Sequence, residues 1–331
     1  MDKYDIDNFR KAMGTLPSQK PEKNYKYVNT FDNSVGYVKL VDYPRNMFKP
    51  IVRAATATWG DAENGSTQKW EQLTPESRYI VALSVLTGNT LPQAAEVINF
   101  QFEYNGFARS CFDQAARARI GASFQSIGSR DNNKLDSPFI LYPELYSEIQ
   151  NNKELKEKFE SWVKLTKDLY EEILLKDESS WQEARSVLPM SYSHSWTASY
   201  NFLSLKGQMS NRLKFCEESH IVYMFWKMRQ EIENISPMIA NYLRPTCDNA
   251  KRCVYHGKHE GLTKYFSNLF AGCGRWKIES DSDYQEFNRS CSNPDEIAKY
   301  VKVIKPNEWI NYTENDYDKL YDIDKKMFEE D

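Results

Sequence analysis

The chain has 331 residues, 40% of them hydrophobic, with 43 Lys and Arg against 47 Asp and Glu for a formal net charge of −4. That is enough apolar material for the core of one large domain or two ordinary ones, and the acidic balance argues against a broad basic surface for a nucleic-acid polymer. No apolar run is long enough to cross a bilayer, and Met1-Asp2-Lys3-Tyr4-Asp5 lacks the basic and apolar regions of a signal peptide, so no membrane partner is expected and the protein reads as cytoplasmic.

Residues 1–36 are polar and rich in Tyr, Asn and Lys without a sustained period, an N-terminal arm that is either irregular or a pair of short strands. Val38 to Val41 alternates like a strand, and Pro44 to Thr58 carries a helical pattern ending near Trp59-Gly60. Thr74-Pro75-Glu76 caps a helix that Thr87-Gly88-Asn89 stops near Leu86, and Leu91 to Val97 is a short helical turn. Ile98 to Tyr104 alternates apolar and polar residues, which predicts a half-buried strand. Phe107, Cys111, Phe112 and Ala115 then recur at helical spacing up to Arg117 and Arg119, and Gly121 to Arg130 is a loop of small residues and hydroxyls.

Asn151 to Leu175 is a strong amphipathic helix, with Leu155, Phe159, Trp162, Leu169 and Ile173 on its apolar stripe among Lys and Glu. Trp181 to Val187 continues helically until Pro189, and Phe202 to Leu205 and Phe215 to Leu243 predict two further helices, the second ending at Arg244-Pro245. Beyond Pro245 comes a Cys/His/Lys-containing segment and then an acidic, Tyr-rich stretch from Asp281 to Asp331.

Two arginines one residue apart at a helix end suit an anion, although cations there also favour the negative pole of the helix dipole. The six cysteines are scattered through a long chain, so a disulfide framework is not expected. Cys111 and Cys216 sit in apolar helical patterns that favour packing over reactivity. Cys247, Cys253, His256, His259 and Cys273 have metal-binding side chains without a clean paired spacing, and the expectation is no metal. His194 reads as a loop histidine and, beside the Arg185 window, as a secondary candidate base.

A second window, Ala184-Arg185-Ser186-Val187-Leu188-Pro189, is followed by Thr197, Asn201 and Arg212. Together with Gln114-Ala115-Ala116-Arg117-Ala118-Arg119 and Ala122-Ser123-Phe124-Gln125-Ser126-Ile127-Gly128-Ser129-Arg130, this order resembles the flavin-dependent thymidylate synthases over about residues 37 to 244. Several positions depart from that pattern. Ala118 replaces the family's central His, one residue is added near Gly121, and the acidic residue of the loop becomes Ser126. The signature serine falls on Ile127 by spacing or on Gly128 by aligning the loop on Arg130, with Ser126 and Ser129 as neighbouring hydroxyls.

The resemblance implies an α/β fold, a mixed sheet flanked by long helices, organised as the arm 1–36, a core at 37–245, and a Cys/His-containing insertion with an acidic extension at 246–331. It implies methylation of a uracil deoxynucleotide, dUMP to dTMP, with FAD, NADPH and 5,10-methylenetetrahydrofolate, in a homotetramer with active sites between subunits. FAD falls to Thr58, Arg117, Arg119, Gln125 and Asn201, and the pyrimidine deoxynucleotide to Gln114, Arg130, Arg185 and Arg212. Ser126, Ser129 and Arg212 stand as the catalytic candidates. Alignment on Cys216-Glu217 would put Lys214 in place of Arg212, but Lys lacks the planar fork. The altered loop leaves open C5 modification of another pyrimidine nucleotide, such as hydroxymethylation, or a non-catalytic nucleotide-binding relative.

Overall fold

The computed structural model of the chain describes residues 22–32, 36–58, 66–118, 120–128, 134–176, 181–252, 275–276 and 292–330. Its first half contains β1 (Tyr27–Asn29), β2 (Tyr37–Asp42), α1 (Phe48–Ala57), α2 (Ser66–Gln72), α3 (Pro75–Thr87), a 3-10 turn (Pro92–Val97), β3 (Asn99–Ala108), α4 (Arg109–Ala115), β4 (Ala122–Ser126) and β5 (Phe139–Leu141). Then follow α5 (Pro143–Asn151), α6 (Lys153–Leu174), α7 (Trp181–Ala184), a 3-10 turn (Arg185–Val187), β6 (Ser193–Asn201), α8 (Phe202–Arg212), α9 (Ser219–Ile235), α10 (Pro237–Asn241), α11 (Thr246–Asn249), α12 (Pro294–Ile297) and α13 (Asp322–Glu329). Among the described residues no helix is long and apolar enough to cross a membrane.

The main sheet has the order β2-β3-β6-β4, and every neighbouring pair in it is antiparallel. Among the described residues parallel pairing is confined to β1 and β5, and a bridge between Phe139 and Tyr192 ties that pair to the entry of β6. The fold is thus α/β with both strand directions, the parallel part lying at the margin. Alternation gives the sheet two unlike faces. Phe100, Phe102, Tyr104, Trp196, Ala198 and Tyr200 are buried on one, where the Tyr104 and Trp196 rings stack at 4.6 Å. On the other, cross-strand pairing builds polar rows, Lys39, Glu103, Thr197 and Gln125 in one and Gln101, Ser199 and Ser123 in the next. These side chains are half-buried or exposed.

The helices stand on the apolar face for local reasons. Thr74 accepts from the Ser77 amide at 3.2 Å, Pro75 fills the first helical position, and Gly88 ends α3 at φ 85°, a conformation a side chain would oppose. Nearly every residue of α9 from Ser219 to Trp226 is buried, as a helix enclosed on all sides must be. The C-terminal segment supplies part of that enclosure. Trp309 packs 6.4 Å from Trp226, Tyr300 lies 6.4 Å from Tyr223, and Phe328 stacks on Phe48 at 4.2 Å.

Several sequence expectations change, and His194, expected in a loop, lies on strand β6 opposite Phe107. The helix expected from Phe107 begins only at Arg109, because Phe107 and Ala108 continue β3 and pair with His194 and Ser193. The loop expected from Gly121 is strand β4 from Ala122 to Ser126. The single helix expected from Phe215 to Leu243 starts at Ser219 and divides at Ser236, which is extended (φ −158°, ψ 96°). Pro237 lacks the amide that α9 would need and disfavours helical geometry at the residue before it, and the Ser236 hydroxyl caps the new helix by accepting from Ile239 N at 3.1 Å.

Candidate functional site

Helix α4, leaving the end of β3, carries the half-buried Gln114 and ends at Ala115, shortly before Arg117. Helix α8, leaving the end of β6, carries Arg212 on its last turn. The two meet: Arg212 Nη1 donates to Gln114 Oε1 at 3.3 Å and to Glu217 Oε2 at 2.6 Å. The Arg212 and Glu217 side chains are 16% and 23% exposed, so the pair is shielded from bulk water but still reachable by a ligand. Lys214, the other residue the alignment allowed, instead points its ammonium toward Asn211 at 3.4 Å. Glu217 was not foreseen. The only sequence signal for it was an acidic residue in the turn just past Arg212.

Asn201 ends β6 and caps α8, its Oδ1 accepting from Ser204 N at 2.8 Å. Its backbone amide donates to the Gly121 carbonyl at 2.8 Å. Gly121 has φ 66°, and a Cβ there would fall 2.4 Å from Asn201 Nδ2, so only glycine allows the chain to pass this close. The side-chain amide of Asn201 therefore keeps its donor face available while its carbonyl holds the helix. Gln125, paired with Thr197, lies on the polar sheet face, whereas Ser126, paired with Trp196, belongs to the opposite face at the exposed end of β4.

The remaining candidates among the described residues are not bonded to this cluster. Arg117 is exposed just beyond α4, Arg185 is exposed on its 3-10 turn, and Thr58 is exposed at the end of α1 with its hydroxyl donating to the Ala55 carbonyl at 2.8 Å. Arg119, Ser129 and Arg130 lie outside the described residues, as do Cys253, His256, His259 and Cys273. Cys247 is buried next to Asp248, and Cys111 is buried with its thiol pushed well above the ordinary range by desolvation.

His194 sits on the apolar face. Phe112 (5.1 Å), Tyr192 (5.7 Å) and Trp196 (6.0 Å) surround its ring, its Nε2 lies 3.3 Å from Arg109 Nη1, and its Nδ1 is buried without a partner. Burial first, and then the Arg109 charge, push its pKa down to about 3. A histidine held neutral and walled in by rings is a packing group here.

The sequence profile of the family described as "Thymidylate synthase complementing protein" matches residues 39–238, and the chain belongs to that family, the flavin-dependent thymidylate synthases. Two crystal structures of a UMP/dUMP methylase PolB from Streptomyces cacaoi, bound with 5-Br dUMP and with 5-Br UMP, resemble the chain at 16% sequence identity. They match 66% and 67% of this chain and 96% of the PolB chain, with TM-scores of 0.47 and 0.49. No curated protein sequence matches the chain significantly.

The family implies a flavin, and the residues present suit one. An exposed guanidinium at Arg117 suits a diphosphate, and the half-buried side-chain amide of Asn201, whose oxygen caps α8, has N–H donors suited to the acceptor edge of a ring.

Proposed function

We propose that the chain methylates C5 of a uracil deoxynucleotide, converting dUMP to dTMP with 5,10-methylenetetrahydrofolate as one-carbon donor and NADPH as reductant. The observation that carries this is the contact of Gln114 with Arg212, two candidate nucleotide ligands 98 positions apart that the fold brings to one point. Arg117, Arg119, Thr58, Gln125 and Asn201 would hold FAD, which when bound would supply the electrons that reduce the transferred one-carbon unit from methylene to methyl.

The chain's own groups bind and orient. Arg212, fixed by Glu217, presents the rest of its planar fork to the nucleotide, and Gln114 offers an amide beside it. Arg185 and Arg130 add guanidinium charge for the phosphate, and Ser126, where the family carries an acidic residue, and Ser129, near the Gly128 position of the family's serine, offer hydroxyls. Arg185 and Arg117 are exposed and unbonded in the single chain, which supports completion of the site by neighbouring subunits of a homotetramer. Replacement of a carboxylate by Ser126 also favours a second reading, preference for another pyrimidine nucleotide, because polar mismatches in a site discriminate strongly.

The purified protein is expected to show flavin absorption bands and to oxidise NADPH faster with dUMP and methylenetetrahydrofolate, yielding dTMP. Replacing Arg117 and Arg119 together by Ala should weaken FAD binding by about 3 to 6 kcal/mol, the worth of two charge-assisted contacts, so that dialysis removes the cofactor. Stoichiometric FAD in the double variant would refute the cofactor assignment, and turnover of dCMP or UMP in preference to dUMP would replace the first substrate reading with the second.

A further inference from the structure

The β3–β6 ladder is interrupted between Tyr104 and Phe107, leaving Asn105 and Gly106 as a bulge with Gly106 at φ 69°. Beside the bulge, between the entry of β6 and the β1–β5 pair, lies a pocket of about 470 Å³. Lys26, Asn105, Lys134, Asp136, Ser193 and Ser195 are among the residues that line it. This is space for a small polar metabolite, and its wall is mostly polar, with Val28 and Pro138 as apolar members.

Lys134 is the informative member. It is only 6% exposed, yet among the described residues no carboxylate or carbonyl lies in contact with its ammonium. Asp136 acts on it only through charge and is itself exposed. Partial removal of an ammonium from water is costly, and burial accordingly pulls its pKa down.

The segment that carries Lys134 is nevertheless held firmly. Lys167, fully buried, donates to the carbonyls of Lys134 at 2.7 Å, Leu135 at 3.0 Å and Ser137 at 2.6 Å, and its ammonium lies 5.1 Å from the centre of the Phe139 ring. The chain thus uses one buried lysine to fix the floor of the pocket and leaves a second one facing it with no ion pair, the exposed Asp136 carboxylate acting on it only through charge. On the opposite wall Ser195 Oγ donates to Asn105 Oδ1, which turns the Asn105 amide outward as a donor, and the Ser193 hydroxyl stands alongside on the same strand face.

We propose that this pocket is a binding site for a small molecule bearing an oxyanion, a phosphate or a carboxylate, whose charge pairs with Lys134 and whose oxygens accept from Ser193 and the Asn105 amide. Lys26, exposed at the rim, adds a second positive charge for capture. None of these residues is among the flavin or nucleotide ligands proposed above, so the site stands or falls separately from them.

The test is thermal unfolding of the full-length protein and its Lys134→Met variant in chloride, in inorganic phosphate and in glutarate, at equal ionic strength. Ligand binding to the native state alone raises the unfolding midpoint, by about 2 °C or more at saturation for a chain of this size. The expected result is a rise with one of the two anions in the wild type that is absent in Lys134→Met, the effective anion naming the group. In chloride the Met variant should melt higher than the wild type, because an unpaired buried charge has been removed; a residue kept for structure would give the reverse. Ser193→Ala, which leaves Lys134 intact, should reduce the anion-induced rise. No rise with either anion, or an equal rise in Lys134→Met, would overturn the proposal.

Discussion

At the scale of single residues, the site depends on how Arg212 is held. A guanidinium on a helix end has many rotamers, and fixing one of them costs side-chain entropy that the 2.6 Å contact with Glu217 offsets in advance of binding. Glu217→Gln keeps the shape and removes the charge. It is expected to raise the KM for the nucleotide about tenfold, equivalent to roughly 1.4 kcal/mol, with little change in FAD content or in the unfolding midpoint. An unchanged KM would show that Arg212 does not act on the nucleotide or needs no support there. Gln114 was legible in the sequence as part of a motif. Glu217 was not, because nothing local distinguishes a carboxylate that meets an arginine from the many that meet water.

At the scale of elements, helix α13 is joined to the turn between α9 and α10 through a buried acid. Asp324 is fully buried, accepts from the Ser236 hydroxyl, and accepts from Met238 N at 2.9 Å. Desolvation outweighs these bonds and raises its pKa from 3.8 to about 6. A carboxyl whose folded pKa is raised binds its proton more tightly in the native state than in the unfolded one. Its ionisation therefore removes stability as pH climbs from about 4 to about 6, by roughly 3 kcal/mol for a shift of this size. Asp324→Asn should flatten that part of the stability-against-pH curve relative to wild type, as urea unfolding at intervals across this range would show. Identical slopes in the two proteins would mean that Asp324 titrates normally. The position of α13 follows from its apolar residues, but its partner in the α9–α10 turn had no sequence signal, since Ser236-Pro237 reads equally well as a plain helix break.

At the scale of the whole molecule, residues 292–330 belong to the main core. Trp309, Tyr317, Leu320 and Phe328 are buried in the same cluster as β3, β6 and α9. Asp248, just past the family match, accepts from Trp309 Nε1 at 2.6 Å, Trp276 Nε1 at 2.8 Å and Arg275 Nε at 2.8 Å. Arg78 is buried beneath the far end, donating to the Phe328 carbonyl at 2.7 Å. Burial of one large aromatic side chain contributes about 1.5–3 kcal/mol, so removing several exceeds the margin by which a typical domain is stable. Deletion of residues 292–331 is expected to abolish the cooperative thermal transition, where a mere appendage would leave it intact; calorimetry of the truncated chain decides between them.

The amino-acid sequence by itself determined the elements whose signals are local: the capped helix α3, the amphipathic helix α6, the alternating strand β3 and the motif order that placed the chain in its family. It carried the same signal for β6, since Ser193, Ser195, Thr197 and Ser199 alternate with His194, Trp196, Ala198 and Tyr200, but the polar half is made of small residues that also suit a loop, and the strand was not recognised. Only the tertiary structure decided that Gln114 meets Arg212, that Lys167 clamps the segment carrying Lys134, and that Asp248 gathers Arg275, Trp276 and Trp309. Caps, periods and turn residues act over a few positions and leave their mark in the local sequence. These pairings join residues far apart in the chain, and they exist because sheet register and helix packing bring those side chains to the same few cubic ångströms.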